Sequence, residues 1–206
     1  MSFLNLLKGF VKTRILPYKP LRISKVVWNQ QFSDGHWDYL KNNEEVARYG
    51  VILSLISHYF GNEVSILDLG CGTGIICEKL DQKYSYYTGV DLSDEAIKQA
   101  SEKSNKKTEF LAEDLLKYIP TRKYDIVVFN ESLYYFEKPL ELLKKFSNFL
   151  NNNGMIIISM WDNKERNNKI WKTIDKTFTP KDQIFLSHHA GKGWFIKTYF
   201  INGKNA

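Results

Sequence analysis

The stretch Ile66-Leu67-Asp68-Leu69-Gly70-Cys71-Gly72-Thr73-Gly74 constrains this chain more than any other. It begins inside an apolar run, Val64–Leu69, that is short and bounded by glycine, the pattern of a buried strand. Glycines at 70, 72 and 74 let the backbone turn sharply and approach a ligand with no Cβ in the way. Ile75–Leu80 then starts a helix. A strand, a glycine turn and a helix make the nucleotide-facing corner of an open parallel sheet. By itself the stretch admits any cofactor that contains a nucleotide.

The alternation of strand and helix continues downstream. Tyr86–Val90 is a strand ending at Asp91, and Ser93 caps a helix that runs to about Lys103. Thr108–Ala112 ends near Glu113-Asp114, and Asp125–Phe129 is followed by Asn130-Glu131. Proline in the first turn marks a helix from Pro139 to Leu150. Asn152-Asn153-Gly154 is a turn, and Met155–Met160 a fifth strand. Upstream, Val46, Tyr49, Gly50, Leu53 and Ile56 recur at helical spacing over residues 43–60. Residues 163–176 are compatible with a further helix. Gln183–His188 and Trp194–Ile201 are compatible with an antiparallel hairpin around Gly191-Lys192-Gly193. The expected fold class is α/β, a mostly parallel sheet covered by helices on both faces and closed by a C-terminal antiparallel hairpin. Residues 1–42 are expected to form a basic N-terminal arm and an aromatic cap segment, and residues 43–206 a single domain.

Composition narrows the class. With 206 residues, 43% hydrophobic and 25% charged, the chain suits one globular domain. Its formal net charge of +6 is carried by residues 1–30, which hold Lys8, Lys12, Arg14, Lys19, Arg22 and Lys25 and no acid. The remaining basic and acidic side chains balance at 23 each, so no nucleic-acid partner is expected. Two cysteines, Cys71 and Cys77, make neither a disulfide framework nor a zinc site, which suits a cytoplasmic location. No apolar run approaches the ~18 residues of a membrane span, and the N-terminus lacks the pattern of a signal peptide. Phe3, Leu4, Leu7, Phe10 and Val11 have helical spacing among the basic residues. That arm is expected to pack on its own domain or on a second subunit. The alternative is a peripheral membrane contact through residues 1–22.

In an open parallel sheet, ligands bind beyond the carboxyl ends of the strands. Asp91 lies 17 residues past Gly74, where an acid can accept both hydroxyls of an adenosine ribose. Asp114 follows the third strand, placed to accept from an adenine amino group. Asn130 and Glu131 follow the fourth, at the sheet centre. Together with Asp68 and the glycines, this arrangement resembles the class I, Rossmann-like S-adenosylmethionine-dependent methyltransferases over about residues 43–161. The resemblance implies a seven-stranded sheet. It implies that Gly70, Cys71, Gly72 and Gly74 pack against the methionine part of the cofactor, and that Asp68 orients the loop and meets the amino group through water. It also implies that Asp91 and Leu92 hold the ribose and Asp114 and Leu115 the adenine, that the Asn130 backbone lies near the sulfonium, and that the N-terminal aromatic segment acts as a cap. A dinucleotide enzyme needs a third small residue at the position of Ile75.

Transfer from a sulfonium is an in-line displacement in which proximity and alignment do most of the work. Glu131, Tyr134 and His188 are the candidate catalytic residues. Glu131 could take a proton or bind an ammonium, or else satisfy a helix N-terminus. One of Tyr134 and Tyr135 is expected in the core and the other at the pocket. His36, beside Trp37, is a weaker candidate than His188, and His58 is expected to be structural. No cluster has metal-ligand spacing, so no metal is expected. The segment Asn130–Phe136 is similar to that of methyltransferases acting on sugars and small bacterial metabolites, including the nodulation-factor N-methyltransferases. The expected acceptor is a small polar molecule, with a saccharide favoured, acted on by a monomer or homodimer. The alternatives are a catalytically inactive S-adenosylmethionine-binding partner subunit and an NAD-dependent enzyme.

Overall fold

A computed structural model describes residues 23–163, 166–188, 191 and 193–201. The expected arm over residues 1–22 lies outside them, as do His189 and Lys192. Seven strands form one sheet: β1 Ser65–Leu69, β2 Tyr86–Asp91, β3 Thr108–Ala112, β4 Tyr124–Asn130, β5 Leu150–Trp161, β6 Asp182–Ser187 and β7 Gly193–Phe200. Their order is β3-β2-β1-β4-β5-β7-β6. Strands β1 to β5 run parallel, and β7 is antiparallel to both β5 and β6. The chain winds outward from β1 to β3, then returns to place β4 on the other side of β1. The loops leaving β1 and β4 diverge there, and a crevice opens between them.

Among the described residues six α-helices flank the sheet: α1 Lys25–Ser33, α2 Asn43–Phe60, α3 Ile75–Leu80, α4 Asp94–Ser101, α5 Pro139–Ser147 and α6 Asn167–Asp175. The two-residue period of the strands sorts their side chains into two layers. On one face Ile66, Ile126, Val128 and Ile157 pack with Ile52 and Ile56 of α2 and Ile75 and Ile76 of α3. On the other, Leu67, Val127, Phe129 and Ile156 pack with Leu142, Leu143 and Phe146 of α5 and Trp171 and Ile174 of α6. Each such side chain contributes about 1.5–3 kcal/mol on full burial. The same alternation turns Asp68, Asn130 and Ser159 toward the α2 layer, two residues along from Ile66, Val128 and Ile157. No helix among the described residues is long and apolar enough to cross a membrane.

Three local features go against or beyond the reading of the sequence. Residues 25–33 form a helix that periodicity did not reveal, because Phe32 is its one buried residue and no apolar stripe repeats. It is set by its cap, where Ser24 Oγ accepts from the Val27 amide at 3.4 Å. Asn152-Asn153-Gly154 is not a turn but part of β5, which begins at Leu150 rather than ending a helix there. Asn153 takes φ 63°, and the pairing of β4 with β5 shifts register between Tyr124 and Ile126, so a bulge absorbs the polar residues. Finally, β3 and β4 are joined without a helix. Lys145 Nζ of α5 braces that connection by donating to the Leu115 and Leu116 carbonyls at 2.9 and 3.1 Å.

Candidate active site

One cleft of about 1200 Å³ opens over the carboxyl ends of the central strands. That exceeds the ~300–1,000 Å³ typical of a site for one small ligand, so the cleft offers more space than one such ligand needs. Gly70, Cys71, Gly72, Asp91, Leu92, Asp114, Leu115, Asn130, Glu131 and Tyr134 all line it.

At one end the glycine turn of β1 meets the end of β2. The Gly70 and Cys71 amides both donate to the Val90 carbonyl, at 2.7 and 3.1 Å. Gly70 has φ 80°, and a Cβ there would sit 2.4 Å from the Ser132 Cβ. The Ser132 hydroxyl in turn donates to the Leu69 carbonyl at 2.5 Å. The loop after β4 is thus clamped against the loop after β1, and only glycine permits the approach. The Gly72 amide donates to Asp91 Oδ2 at 2.9 Å, while the Ser93 amide donates to Oδ1 at 2.9 Å. Burial raises the Asp91 pKa, and these backbone donors oppose the rise. On the far wall Asp114 Oδ1 accepts from the Leu116 amide at 3.0 Å.

Two of the expected cofactor contacts lie below this surface rather than on it. Gly74 does not line the cleft. It begins α3 with φ 72°, and a Cβ there would meet Phe110 at 2.9 Å. Its role is to let helix and sheet close together. Asp68 does not line the cleft either, being 1% exposed. It accepts from the Tyr87 hydroxyl at 2.5 Å, and its Oδ1 has no partner. Burial pushes its pKa to about 7, against the hydrogen bond from Tyr87.

At the other end the arrangement is built from side chains. Arg48 of α2 is completely buried and donates to Asn130 Oδ1 and, at 2.9 Å, to Glu45 Oε2. Its guanidinium stands 4.6 Å from the Tyr49 ring centroid and 5.8 Å from that of Trp194. Glu131 takes φ 57°, a left-handed conformation that costs a non-glycine residue roughly 1–2 kcal/mol. Its reward is three donors: Ser159 Oγ at 2.6 Å, the Trp161 amide at 3.0 Å and the Tyr134 hydroxyl at 3.3 Å. Burial raises the Glu131 pKa, with the Arg48 cation and the Ser159 and Trp161 donors opposing. Glu131 does not serve a helix N-terminus, because only a short 3-10 turn, Leu133–Tyr135, follows. Tyr134 and Tyr135 both line the cleft, so neither is purely core. His188 lies just past β6 and is absent from the cleft wall.

Trp28, Phe32, Trp37 and Tyr39 of the aromatic segment line the cleft. Phe32 lies 3.6 Å from where a Gly72 Cβ would stand, and the Trp28 ring meets the edge of Tyr135 at 5.1 Å between centroids. His36 also faces the cleft, packed edge-on against Trp37 at 5.2 Å. Helix α1 docks on α4 through Ser93 Oγ, which donates to Asn29 at 2.8 Å, and through Lys25 and Asp94 at 2.7 Å. Sequence reasoning missed Arg48, Glu45, Ser159 and Trp194. One signal was present. Glu45 and Arg48 form an i,i+3 acid–base pair on the apolar face of a helix, where charge survives only if it is paired.

The donor set fits S-adenosylmethionine. Asp91 presents a carboxylate for a ribose diol, the Gly72 backbone offers a surface without Cβ, and the orphaned Asp68 oxygen under the turn lacks only a cationic or water partner.

Comparison with known proteins agrees with the geometry. A family model described as a methyltransferase domain matches residues 32–189. The malonyl-[acyl-carrier protein] O-methyltransferase 2 of Ilyobacter polytropus is 30% identical over 145 residues, 66% of this chain and 54% of its own length. The ubiquinone biosynthesis O-methyltransferase of Rickettsia felis is 28% identical over 144 residues, 67% of this chain and 57% of its own. The chain therefore spans little more than half the length of these curated relatives. Among solved structures, the N-methyltransferase NodS of Bradyrhizobium japonicum, in complex with S-adenosyl-L-homocysteine, is similar with a TM-score of 0.72 at 18% identity, over 84% of this chain and 97% of that one. That last likeness is one of fold.

Proposed function

This chain belongs to the class I S-adenosylmethionine-dependent methyltransferases, and from that premise we propose that it transfers the cofactor's methyl group to a small polar acceptor held at the Arg48 end of the cleft. One observation carries the reading. The glycine turn of β1 and the Asp91 carboxylate of β2 are hydrogen-bonded to each other at the rim of a cleft with more space than one small ligand needs.

When bound, the cofactor supplies a methyl group on a positively charged sulfur, which needs alignment more than acid–base help. The chain's own residues supply that alignment. Asp91 would hold the ribose, Asp114 and Leu115 the adenine, and the glycine turn the methionine part. Asp68 acts from beneath, its free oxygen answering the ammonium directly or through water. The loop after β4, pinned by Ser132 and by the three donors on Glu131, carries the reacting centre. Glu131 is a positioning residue in this reading, since its oxygens are engaged. Tyr134 donates to Glu131 and helps exclude water. His188 lies outside the lining of the cleft and is assigned no step in this reading. The saccharide preference drawn from Asn130–Phe136 has no counterpart in the names of the sequence relatives above, which are O-methyltransferases of an acyl-carrier-bound malonyl group and of ubiquinone biosynthesis.

Titration calorimetry with S-adenosylhomocysteine tests the reading. The wild type should bind it and not bind NAD. Asp91→Ala should weaken binding by about 10–100-fold, the scale of a hydrogen-bonded charged group. No binding, or binding indifferent to Asp91, would overturn the assignment.

A further inference from the structure

The Asn130 side chain is held in one of its two orientations, and the orientation has a chemical meaning. A guanidinium carries donors only. The carboxamide atom that Arg48 Nη1 faces must therefore be the oxygen. Ser159 Oγ also donates to that oxygen, at 3.2 Å. Asn130 and Ser159 are register partners on β4 and β5, so both stand on the face covered by α2. Arg48 has little freedom to release its hold, being fixed by Glu45 and packed between the rings of Tyr49 and Trp194. A turned carboxamide would set its NH2 against the guanidinium, donor against donor.

The consequence lies at the other end of the amide. Asn130 lines the cleft, and its Nδ2 is neither hydrogen-bonded nor among the buried orphaned atoms of the described residues. It therefore faces the open space as a donor. We propose that Asn130 is a specificity-determining residue that selects an oxygen anion, a carboxylate or phenolate, as the methyl acceptor, and that Arg48 is the positioning residue that makes it so. This rests on the reading of the cleft above. An attacking amine commits its one lone pair to the methyl carbon, so only its N–H donors are left to meet a group that cannot accept them. An oxygen anion accepts the hydrogen bond. Glu131 does not overrule this choice, because its own oxygens already take three donors and Arg48 stands beside it. The transfer then balances without a base. The acceptor oxygen's electron pair forms the bond to carbon, the carbon–sulfur bond breaks with its pair going to sulfur, and one negative and one positive charge vanish together.

Benzoate and benzylamine, matched in shape and opposite in chemistry, test the proposal. Protein labelled with 15N-asparagine is saturated with S-adenosylhomocysteine, and the Asn130 side-chain resonance is assigned by its loss in Asn130→Ser. Benzoate should shift that resonance in a saturable way and benzylamine should not. Asn130→Asp should weaken benzoate at least ~10-fold and admit benzylamine. Arg48→Met should lower the ratio of benzoate to benzylamine affinity ~10-fold, with Arg48→Lys restoring part of it. Should Arg48→Met not fold, Ser159→Ala removes the second donor to the same oxygen and should lower the ratio less. Cofactor-product binding with benzylamine preferred, or with neither probe bound, overturns this inference alone. Failure to bind S-adenosylhomocysteine overturns the reading of the cleft, and the inference with it.

Discussion

The two ends of the cleft are made differently. At the cofactor end the parts are mostly backbone and close in sequence. Gly70 and Gly72 lie in the turn after β1 and Asp91 ends β2, and Gly72 to Asp91 spans 19 residues. At the acceptor end the parts are side chains from remote segments. Arg48 and Asn130 are 82 residues apart, and Ser159 follows 29 later. The first end needs a turn that glycine alone can make. The second needs buried charges and polar groups to satisfy one another, and such groups are costly when a partner is lost. The acceptor end should therefore bear on stability, and the cofactor end on binding.

That contrast can be broken most directly at Arg48. Arg48→Met leaves Glu45 buried without its cation and should destabilise the fold by about 3–5 kcal/mol. The double variant with Glu45→Leu should recover much of the loss, and urea melts of the two would decide. Equal stability of Arg48→Met and wild type would mean that the pair is not the keystone of this end.

Asp68 sharpens the comparison, because it is an acid sealed beneath the cofactor end, 1% exposed. In the unfolded chain an aspartate titrates near 3.9, and here burial lifts it to about 7. Between those values the folded protein binds a proton that the unfolded chain has released. This contribution to stability is thus full below about pH 4, falls as pH rises, and is gone above about pH 7. Its total is roughly 4 kcal/mol, from ~1.4 kcal/mol per pH unit. The stability difference between wild type and Asp68→Asn, followed from pH 4.5 to 8, should change in that window in the variant's favour. A difference that stays flat would show that Asp68 is ionised in the fold throughout.

Gly70→Ala should come next. It adds a Cβ 2.4 Å from that of Ser132 at φ 80°. Overpacking of about 1–3 kcal/mol is expected, with weaker binding of S-adenosylhomocysteine, because relief requires the two loops to part. The smallest effect is expected in the cap. Trp28→Leu loses an edge contact with Tyr135, worth about 0.5–1.5 kcal/mol. Thermal melting should move little while cofactor affinity drops measurably, and an unaltered affinity would exclude the cap from the site.

Much of the fold was legible because it repeats. The strand Thr108–Ala112 and the helix starting at Ile75 stand as periodicity and glycine placement put them. The illegible elements lack such a signal. Helix α1 buries one side chain and so shows no stripe, and Asn152–Gly154 has the composition of a turn yet sits in a bulge of β5. In the site, the strand-end rule brought Asp91, Asp114, Asn130 and Glu131 to one cleft. It could not foresee that Gly74 and Asp68 lie beneath the cleft surface, since depth along a turn depends on what packs behind it. His188 was placed at the end of β6 correctly, but which strand ends share a cleft is set by sheet order.

The sequence by itself determined an α/β sheet with a glycine turn and strand-end acids, because short-range sterics and hydrophobic period are properties of neighbouring residues. Tertiary structure alone decided that Arg48 would turn the Asn130 carboxamide. A hydrogen bond between residues 82 apart leaves no trace in either neighbourhood until the helix has packed against the sheet.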